Sequence, residues 1–252
     1  MSWLTSEASI QRYIDALRRA TQDDSQFSCF RRAPGVREIV EGIPDVVGHG
    51  YYQKLIEHLG EAELANVWQS MVRNDSVGDP SKVRFTLGEA ASTTMRYAWN
   101  VFHMRKNDVV LDEADIYEVG GGYGGLCRMV HQFSKPKSYT IVDIPEALEL
   151  AKKYLNFFGI VANFVSCEEV REVDACTFIS NYALTELTRD QQKVYVDNLI
   201  KKSRSGYITH NSQPRNENQQ YTLKDLVSHV TGTVTVEPEN IKKSECTVLI
   251  WR

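Results

Sequence analysis

The 252-residue sequence lacks several features that point to particular classes of protein. It has no apolar run of membrane-spanning length, which argues against an integral membrane protein. Met1 to Arg12 carry Glu7 and no apolar signal-peptide segment, so we expect a cytoplasmic protein. It also has no excess of basic residues, because 29 Lys and Arg face 33 Asp and Glu. A protein that binds nucleic acid through its phosphates is therefore not expected.

Cysteine is scarce and shows no CxxC pair. The histidines likewise show no metal-ligand spacing. Acidic residues in loops, such as Asp75 and Asp79, are more often simply exposed to solvent or cap turns than bind a metal. We therefore expect reduced thiols, no disulfide framework and no metal. The five cysteines are Cys29, Cys127, Cys167, Cys176 and Cys246.

Apolar residues are plentiful, at 42% of the chain, and before about residue 110 they recur at helical spacing. Thr5 or Ser6 is a candidate cap for the first helix, and Pro34-Gly35 and residues 77–80 read as loops. The four apolar stripes are Ile10/Ile14/Leu17, Tyr52/Leu55/Ile56/Leu59, Leu64/Val67/Trp68/Met71 and Met95/Ala98/Trp99/Phe102.

Two roles fit this N-terminal helical region, which we place at residues 1–108. It is either a cap that recognises the substrate or a surface for homodimerisation, and both can hold at once. The dimer alternative rests on the aromatic side chains of the stripes and of the residue beside them, namely Tyr51, Tyr52, Trp68 and Trp99.

Beyond residue 110, short apolar runs alternate with helical patterns. The predicted strands are Asp115–Val119, Ser138–Val142, Ala162–Val165, Ala175–Ile179, Gly206–Thr209, Thr233–Val236 and Thr247–Trp251. A helix fits between each pair of the first five, with Pro145 in the first turn of one and a Thr188/Gln191 capping box opening another. The last two suit an antiparallel hairpin. We predict an α/β fold with a doubly wound, seven-stranded, mostly parallel, Rossmann-like sheet over residues 109–252.

A glycine-rich loop directly follows the first of these strands and opens a predicted helix. Residues 117–125 read Tyr-Glu-Val-Gly-Gly-Gly-Tyr-Gly-Gly. Glycine lets the backbone turn sharply and lets a ligand approach closely. The next strand ends at Asp143, whose carboxylate can accept hydrogen bonds from ribose hydroxyls. Together they predict a nucleoside cofactor, in preference to a simple tight turn.

The spacing of the glycines indicates which cofactor. A dinucleotide site normally reads Gly-x-Gly-x-x-Gly, whereas here Gly120, Gly122 and Gly124 follow Glu118. This pattern resembles the first motif of class I S-adenosylmethionine-dependent methyltransferases, and so does the seven-strand count with its terminal hairpin. The resemblance implies S-adenosylmethionine as cofactor and S-adenosylhomocysteine as product. It also implies that Glu118 helps to hold the methionine end.

Three segments carry a closer resemblance. They are Glu118–Leu126, Val142–Glu146 and the Ser-Asn-Tyr-Ala-Leu-Thr-Glu-Leu stretch at 180–187. In this order they resemble a family assigned as sugar O-methyltransferases. The resemblance implies methyl transfer to a hydroxyl of a sugar, nucleotide sugar or glycan, in polysaccharide or natural-product biosynthesis.

Ligands of open α/β sheets lie beyond the carboxyl ends of the strands. The segment around Cys167 is expected near the adenine, and Asn181 is expected to hold the cofactor amine, with an Asn turn as the alternative. Ile144 joins the cofactor-binding set as the neighbour of Asp143. Tyr182 either walls the methyl pocket or packs below it, and Asn211 follows the fifth strand close to the same point.

For the acceptor proton, His210 is the first candidate base, because its ordinary pKa lies near neutrality. The alternative is a histidine that only binds loop backbone. Glu186 is the second candidate, and it competes with a role as an acid before a helix start. Arg96 and Tyr97, on the last N-terminal helix, are candidates for substrate binding, with a surface salt bridge as the commoner role of such an arginine.

Other functions stay open at this point. An NAD(P)-dependent oxidoreductase shares the glycine loop, although its usual spacing differs. A methyltransferase acting on a non-sugar small molecule fits the same motifs, since acceptor chemistry lies in the pocket and not in the fold. A catalytically silent binding protein is a third class, which the intact loop and Asp143 disfavour.

Overall fold

The computed structural model describes residues 7–211, 220–239, 241 and 246–252. The two candidate caps Thr5 and Ser6 lie outside this range. The helices are α1 Glu7–Gln22, α2 Asp24–Ser28, α3 Pro34–Val36, α4 Asp45–Leu59, α5 Glu61–Val72, α6 Ser92–Lys106, α7 Gly125–Phe133, α8 Pro145–Phe157, α9 Arg189–Asn198 and α10 Leu223–Val227. The strands are β1 Val83–Phe85, β2 Gly88–Ala90, β3 Asp115–Val119, β4 Ser138–Asp143, β5 Asn163–Ser166, β6 Cys176–Asn181, β7 Ser203–His210, β8 Val234–Pro238 and β9 Thr247–Trp251.

The chain divides into two compact units. Unit 1 comprises Met1–Val101, Gly122–Gln132 and Pro145–Ile160. Unit 2 comprises Phe102–Gly121, Phe133–Ile144 and Val161–Arg252. The two predicted domains, 1–108 and 109–252, are continuous segments, whereas each unit combines several segments. The domain boundary stays a prediction. No helix of the described residues is both long and apolar enough to cross a membrane.

Unit 1 is mainly helical, as the apolar stripes predict. Helix α4 ends at Leu59 before Gly60, and the third and fourth stripes lie on α5 and α6. On α1 the predicted face is only partly buried, because Leu17 is buried but Ile10 is 44% exposed. The aromatics on which the dimer prediction rested, Tyr51, Tyr52, Trp68 and Trp99, are buried within the fold. The homodimer therefore stays a prediction without those side chains as its surface.

The prediction of a loop at Pro34-Gly35 was wrong. Residues Pro34–Val36 are helical and lead into one turn of π-helix at Arg37–Glu41. Proline suits a first helical turn, where its missing N–H costs no hydrogen bond. A Cβ on Gly35 would lie 2.4 Å from the carbonyl oxygen of Arg12, so the glycine permits close packing against α1.

Unit 2 is built on a seven-stranded sheet of order β5-β4-β3-β6-β7-β9-β8. The pairs from β5 to β7 are parallel, and β9 pairs antiparallel with both β7 and β8. From β3 the chain adds β4 and β5 on one side and then β6 and β7 on the other. This confirms the doubly wound, mostly parallel, Rossmann-like sheet with an antiparallel end. The winding reverses between β3 and β6, where such sheets bind ligands.

The prediction of a helix between every pair of parallel strands was wrong between β5 and β6. The nine residues from 167 to 175 form turns and irregular chain. Val170 is buried in the core cluster of unit 2, and Val173 packs against that cluster. Two β-branched side chains directed inwards from so short a connection favour an extended path over a helix.

Two further elements were not predicted. Strands β1 and β2 form a small antiparallel hairpin, and Thr222 caps the short helix α10 through a capping box with Asp225. The other predicted capping box is confirmed, since Thr188 and Gln191 bind each other's backbone N–H groups at the start of α9. In the described residues all five cysteines are free thiols.

Candidate functional site

The glycine loop leaves the sheet at its switch point. Gly120 has φ of +80°, and its N–H donates to the carbonyl of Val142 at 2.9 Å. A Cβ on Gly120 would lie 2.0 Å from the Cβ of Ala183, which follows the end of β6. Both the backbone angle and the close approach therefore require glycine here. The turn brings bare backbone to the carboxyl ends of β3 and β6.

Glu118 lies under this turn and is 3% exposed. Its Oε2 accepts a hydrogen bond from the hydroxyl of Tyr139 at 2.9 Å. The pKa of Glu118 is raised to about 7, chiefly by burial; the hydrogen bond from Tyr139 lowers it, and the nearby charge of Asp143 adds to the rise. A Cβ on Gly121 would lie 3.1 Å from the Glu118 carboxylate. The carboxyl group thus occupies the space beneath the second glycine.

Asp143 ends β4 directly beside the glycine turn, because Val119 and Val142 pair in register. Its Oδ1 accepts from the N–H of Ile144 at 2.8 Å, which fixes the orientation of the carboxylate. Its carbonyl accepts from the N–H of Cys167 at 3.1 Å. The structure therefore brings three predicted cofactor residues together at the ends of β4 and β5.

The remaining glycines of the motif belong to unit 1. Gly122 has φ of +55° and Gly124 has φ of +88°. A Cβ on Gly124 would lie 3.1 Å from Leu155 of α8, whereas one on Gly122 would meet only ordinary contacts. Gly122 is thus required by its backbone angle, and Gly124 by its angle and by packing as well.

Asn181 and Tyr182 stand at the end of β6. The Asn181 Oδ1 accepts from Thr209 on β7 at 2.9 Å. Tyr182 is a non-glycine residue with φ of +66°, a strained conformation that is concentrated at functional sites. Hydrogen bonds of both its backbone and its side chain hold it there. Its N–H donates to the Thr209 carbonyl, its carbonyl accepts from Thr185, and its hydroxyl donates to Glu239.

His210 ends β7 and lies partly buried. Burial lowers its pKa, and a backbone hydrogen bond with Tyr221 opposes that effect only in part. Its buried Nδ1 has no hydrogen-bond partner among the described residues. A neutral imidazole at neutral pH can accept a proton, so the environment suits a base. The N–H of the next residue, Asn211, donates to the hydroxyl of Thr185 at 3.4 Å.

The other candidates lie in different surroundings. Glu186 is exposed at the end of a 3₁₀ turn, outside α9. Arg96, in unit 1, donates to the Val40 carbonyl at 3.4 Å and stacks over the Tyr97 ring. Tyr97 is 7% exposed and contacts Tyr123 edge-on. The roles of Glu186, Arg96 and Tyr97 in the reaction stay predictions.

Sequence reasoning missed two parts of this region. Glu239 is 7% exposed and binds Tyr182, although it is 57 residues away in the chain. His103 lies with Nδ1 3.1 Å from the Tyr207 hydroxyl and Nε2 2.6 Å from Glu237. No local pattern in the sequence signals either pairing. Among the described residues, no group of three His, Cys, Asp or Glu could hold a metal ion, and the prediction that the protein needs no metal stays open.

Comparison with known proteins gives fold-level similarity only. No family model and no curated protein matches the sequence. Among solved structures, similarity extends to an S-adenosylmethionine-dependent methyltransferase from Clostridium acetobutylicum, with 12% identity, 61% of this chain and 89% of that chain covered, and a TM-score of 0.47. A candidate O-methyltransferase from Nostoc punctiforme is 10% identical, with 90% of this chain and 76% of that chain covered and a TM-score of 0.49. An rRNA methylase from Streptococcus thermophilus is 14% identical, with 59% of this chain and 93% of that chain covered and a TM-score of 0.44. These values are too low to assign an activity or an acceptor.

Proposed function

We propose that this protein is an S-adenosylmethionine-dependent O-methyltransferase that acts on a hydroxyl of a sugar, nucleotide sugar or glycan. The observation that carries the proposal is the pairing of the Gly120 turn with Asp143 at adjacent strand ends, in a sheet of this order. The proposal is also supported by the antiparallel strand β9, which lies between β7 and β8 in the same sheet. The sugar as acceptor rests on the motif resemblance alone.

The residues at the switch point fit this cofactor. Asp143 presents a fixed carboxylate, the acceptor that a pair of ribose hydroxyls requires. Glycine at position 120 lets Ala183, just after β6, pack directly against the turn, so the ends of β3 and β6 meet beside Asp143. Ile144, Cys167 and Asn181 complete the set at neighbouring strand ends. When bound, S-adenosylmethionine supplies an activated methyl group on a positively charged sulfur.

The chain's own residues orient the acceptor and take its proton. A sugar hydroxyl is a weak nucleophile, so a base near neutrality helps its attack on the methyl group. His210 fits that role because burial keeps its imidazole neutral. Glu186 is the alternative, and Tyr182 and Asn211, which follow β6 and β7, are assigned to acceptor binding.

Thermal unfolding with added ligands tests the cofactor. A ligand that binds only the native state raises the melting temperature. S-adenosylhomocysteine is expected to raise it, and NADH is not. Stabilisation by NADH alone would replace this proposal with an oxidoreductase, and stabilisation by neither would leave the site without a nucleoside role.

A variant then tests the ribose contact. Asp143→Ala is expected to weaken S-adenosylhomocysteine binding more than tenfold in isothermal titration calorimetry. Asp115→Ala, at the amino end of β3, is the matched control and is expected to bind as the wild type does. Equal affinities in all three proteins would remove Asp143 from the site. Methyl transfer from labelled S-adenosylmethionine to a panel of nucleotide sugars then identifies the acceptor.

A further inference from the structure

The peptide group that opens the glycine turn, between Val119 and Gly120, is held on both sides. Its N–H donates to the carbonyl of Val142 on β4 at 2.9 Å. Its carbonyl accepts from the hydroxyl of Ser180 on β6 at 3.0 Å. Because a peptide group is planar, engaging both of its polar groups fixes the orientation of that plane. The plane in turn sets the direction in which the glycine turn leaves the sheet.

The hydrogen bond from Ser180 lies where backbone pairing between β3 and β6 stops. The last pair of that ladder is Glu118 with Ile179, and Val119 and Ser180 are the next residues on the two strands. The winding of the sheet reverses between these strands, where such sheets bind ligands. A side-chain hydrogen bond therefore joins the two strands at the edge of the candidate cofactor site.

The same hydroxyl also fixes the turn that follows β6. The Oγ of Ser180 accepts from the N–H of Leu184 at 3.1 Å. This turn contains Ala183, whose Cβ lies 2.0 Å from the place that a Cβ on Gly120 would take. One hydroxyl thus donates to the glycine turn and accepts from the turn packed against it. It holds the two turns in a defined arrangement.

Ser180 has no surface through which it could touch a ligand, because its exposed fraction is 0%. Any effect of its hydroxyl on binding must therefore act through the two turns. A backbone turn binds more tightly when it is already in its bound arrangement. If only a fraction of the molecules has that arrangement, the apparent affinity falls in proportion to the fraction.

We propose that Ser180 is a positioning residue for S-adenosylmethionine, because it holds the Gly120 turn in the arrangement that receives the cofactor. This inference rests on the proposed function, since it concerns the same cofactor site. It adds a residue that acts on the site without touching the ligand. Ser180 and all of its partners belong to unit 2.

Ser203 provides a matched control in the same unit. It is also buried, its hydroxyl donates to the Ile200 carbonyl at 2.6 Å, and it accepts from the Trp251 indole N–H at 3.0 Å. It begins β7, at the end of the parallel strands opposite to the glycine turn. Loss of either hydroxyl removes the partner of one carbonyl and one N–H. Ser180→Ala and Ser203→Ala should therefore destabilise the fold to a similar extent.

The experiment is isothermal titration calorimetry of S-adenosylhomocysteine with the wild type and both variants, together with urea unfolding of each. Ser180→Ala is expected to weaken binding by about fivefold or more, and Ser203→Ala is expected to bind as the wild type does. Amide hydrogen exchange without ligand adds a local measurement. The N–H of Gly120 should exchange faster in Ser180→Ala than in Ser203→Ala, because its peptide group has lost one of two anchors.

Equal affinities in the wild type and Ser180→Ala would overturn the inference alone, because the turn would keep its arrangement without the hydroxyl. An equal loss of affinity in both variants would also overturn it, since the cause would be general stability. If Ser180→Ala does not fold, Ser180→Cys takes its place, and its weaker hydrogen bonds should give an intermediate affinity. Unchanged affinity in Ser180→Cys then counts against the inference. A wild type that does not bind S-adenosylhomocysteine contradicts the proposed function itself.

Discussion

The guanidinium of Arg31 and the carboxylate of Glu41 form a buried, two-pronged ion pair in unit 1. Asp75 binds the same arginine from a position 44 residues further along the chain. Desolvation opposes this charge, but the carboxylates hold the pKa of Arg31 well above its ordinary value. The cluster joins the segment around α3 to the chain after α5.

Replacing Arg31 leaves two carboxylates buried without their cation. Arg31→Met is expected to lower the free energy of unfolding by about 3–5 kcal/mol, the usual result of removing one partner of a buried pair. Arg32→Met, next in sequence but in an exposed pair with Asp79, should cost less than about 1 kcal/mol. Urea unfolding of both variants checks this. Similar losses in both would mean that the buried cluster adds no special stability.

Two glycines with similar φ values differ in the space around the position that a Cβ would take. Gly60 has φ of +77° and open space where a Cβ would lie, whereas Gly120 has φ of +80° and faces Ala183. Gly60 also has ψ of 158°, a combination used almost only by glycine, so Gly60→Ala should cost about 1–3 kcal/mol from the backbone conformation alone. Gly120→Ala should cost about 1–3 kcal/mol more because of overpacking. Urea unfolding measures both.

The double variant Gly120→Ala/Ala183→Gly is the control for the loss of stability that comes from overpacking against Ala183. It should recover most of the extra loss, because it removes the atom that the new Cβ would meet. No recovery would place the cause elsewhere than in this contact.

Glu118 gives the protein a defined dependence on pH. Its pKa rises from 4.5 to about 7 on folding. As pH rises between these values, the unfolded chain releases its proton while the folded protein retains it, so stability falls. Between the two pKa values the free energy of unfolding falls by roughly 3 kcal/mol. Glu118→Gln removes the effect.

The measurement is urea unfolding at pH 5 and pH 8 for both proteins. The wild type is expected to lose more stability between the two pH values than Glu118→Gln does. Other titrating groups are shared and cancel in the comparison. An equal loss in the two proteins would mean that Glu118 is ionised in the folded state at pH 5.

His210 is expected to titrate below its ordinary pKa of 6.5 because of burial. Nuclear magnetic resonance of the imidazole ring protons follows this directly, and His210→Gln identifies the resonance by its loss. Once the acceptor is known, the same variant should lower turnover while S-adenosylhomocysteine binding stays near that of the wild type. An ordinary or raised pKa for His210, or unchanged turnover, would favour another base.

The sequence predicts the sheet well because its signals are local. Each of the seven strands is a short apolar run. Asp143 and Gly120 lie side by side because each directly follows such a run on neighbouring parallel strands. The connection after β5 was mispredicted as a helix, since the burial of Val170 depends on packing that the sequence does not display.

Long-range pairing of charged and polar side chains was the other gap. Glu41 and Glu239 stand in segments without any periodic pattern, and their partners Arg31, Tyr123 and Tyr182 are found only in the folded chain. The left-handed backbone of Tyr182 is equally invisible, because tyrosine has no local preference for it.

The position of β9 in the sheet has a consequence for biosynthesis. Its residues, 247–251, form an interior strand, and β8 has no other strand partner in the described sheet. While the ribosome is still adding these residues, β7 presents an open edge and β8 stays unpaired. The antiparallel end of the sheet therefore forms only after Trp251 has emerged from the exit tunnel, and a nascent chain stalled before that point is exposed to aggregation through β7.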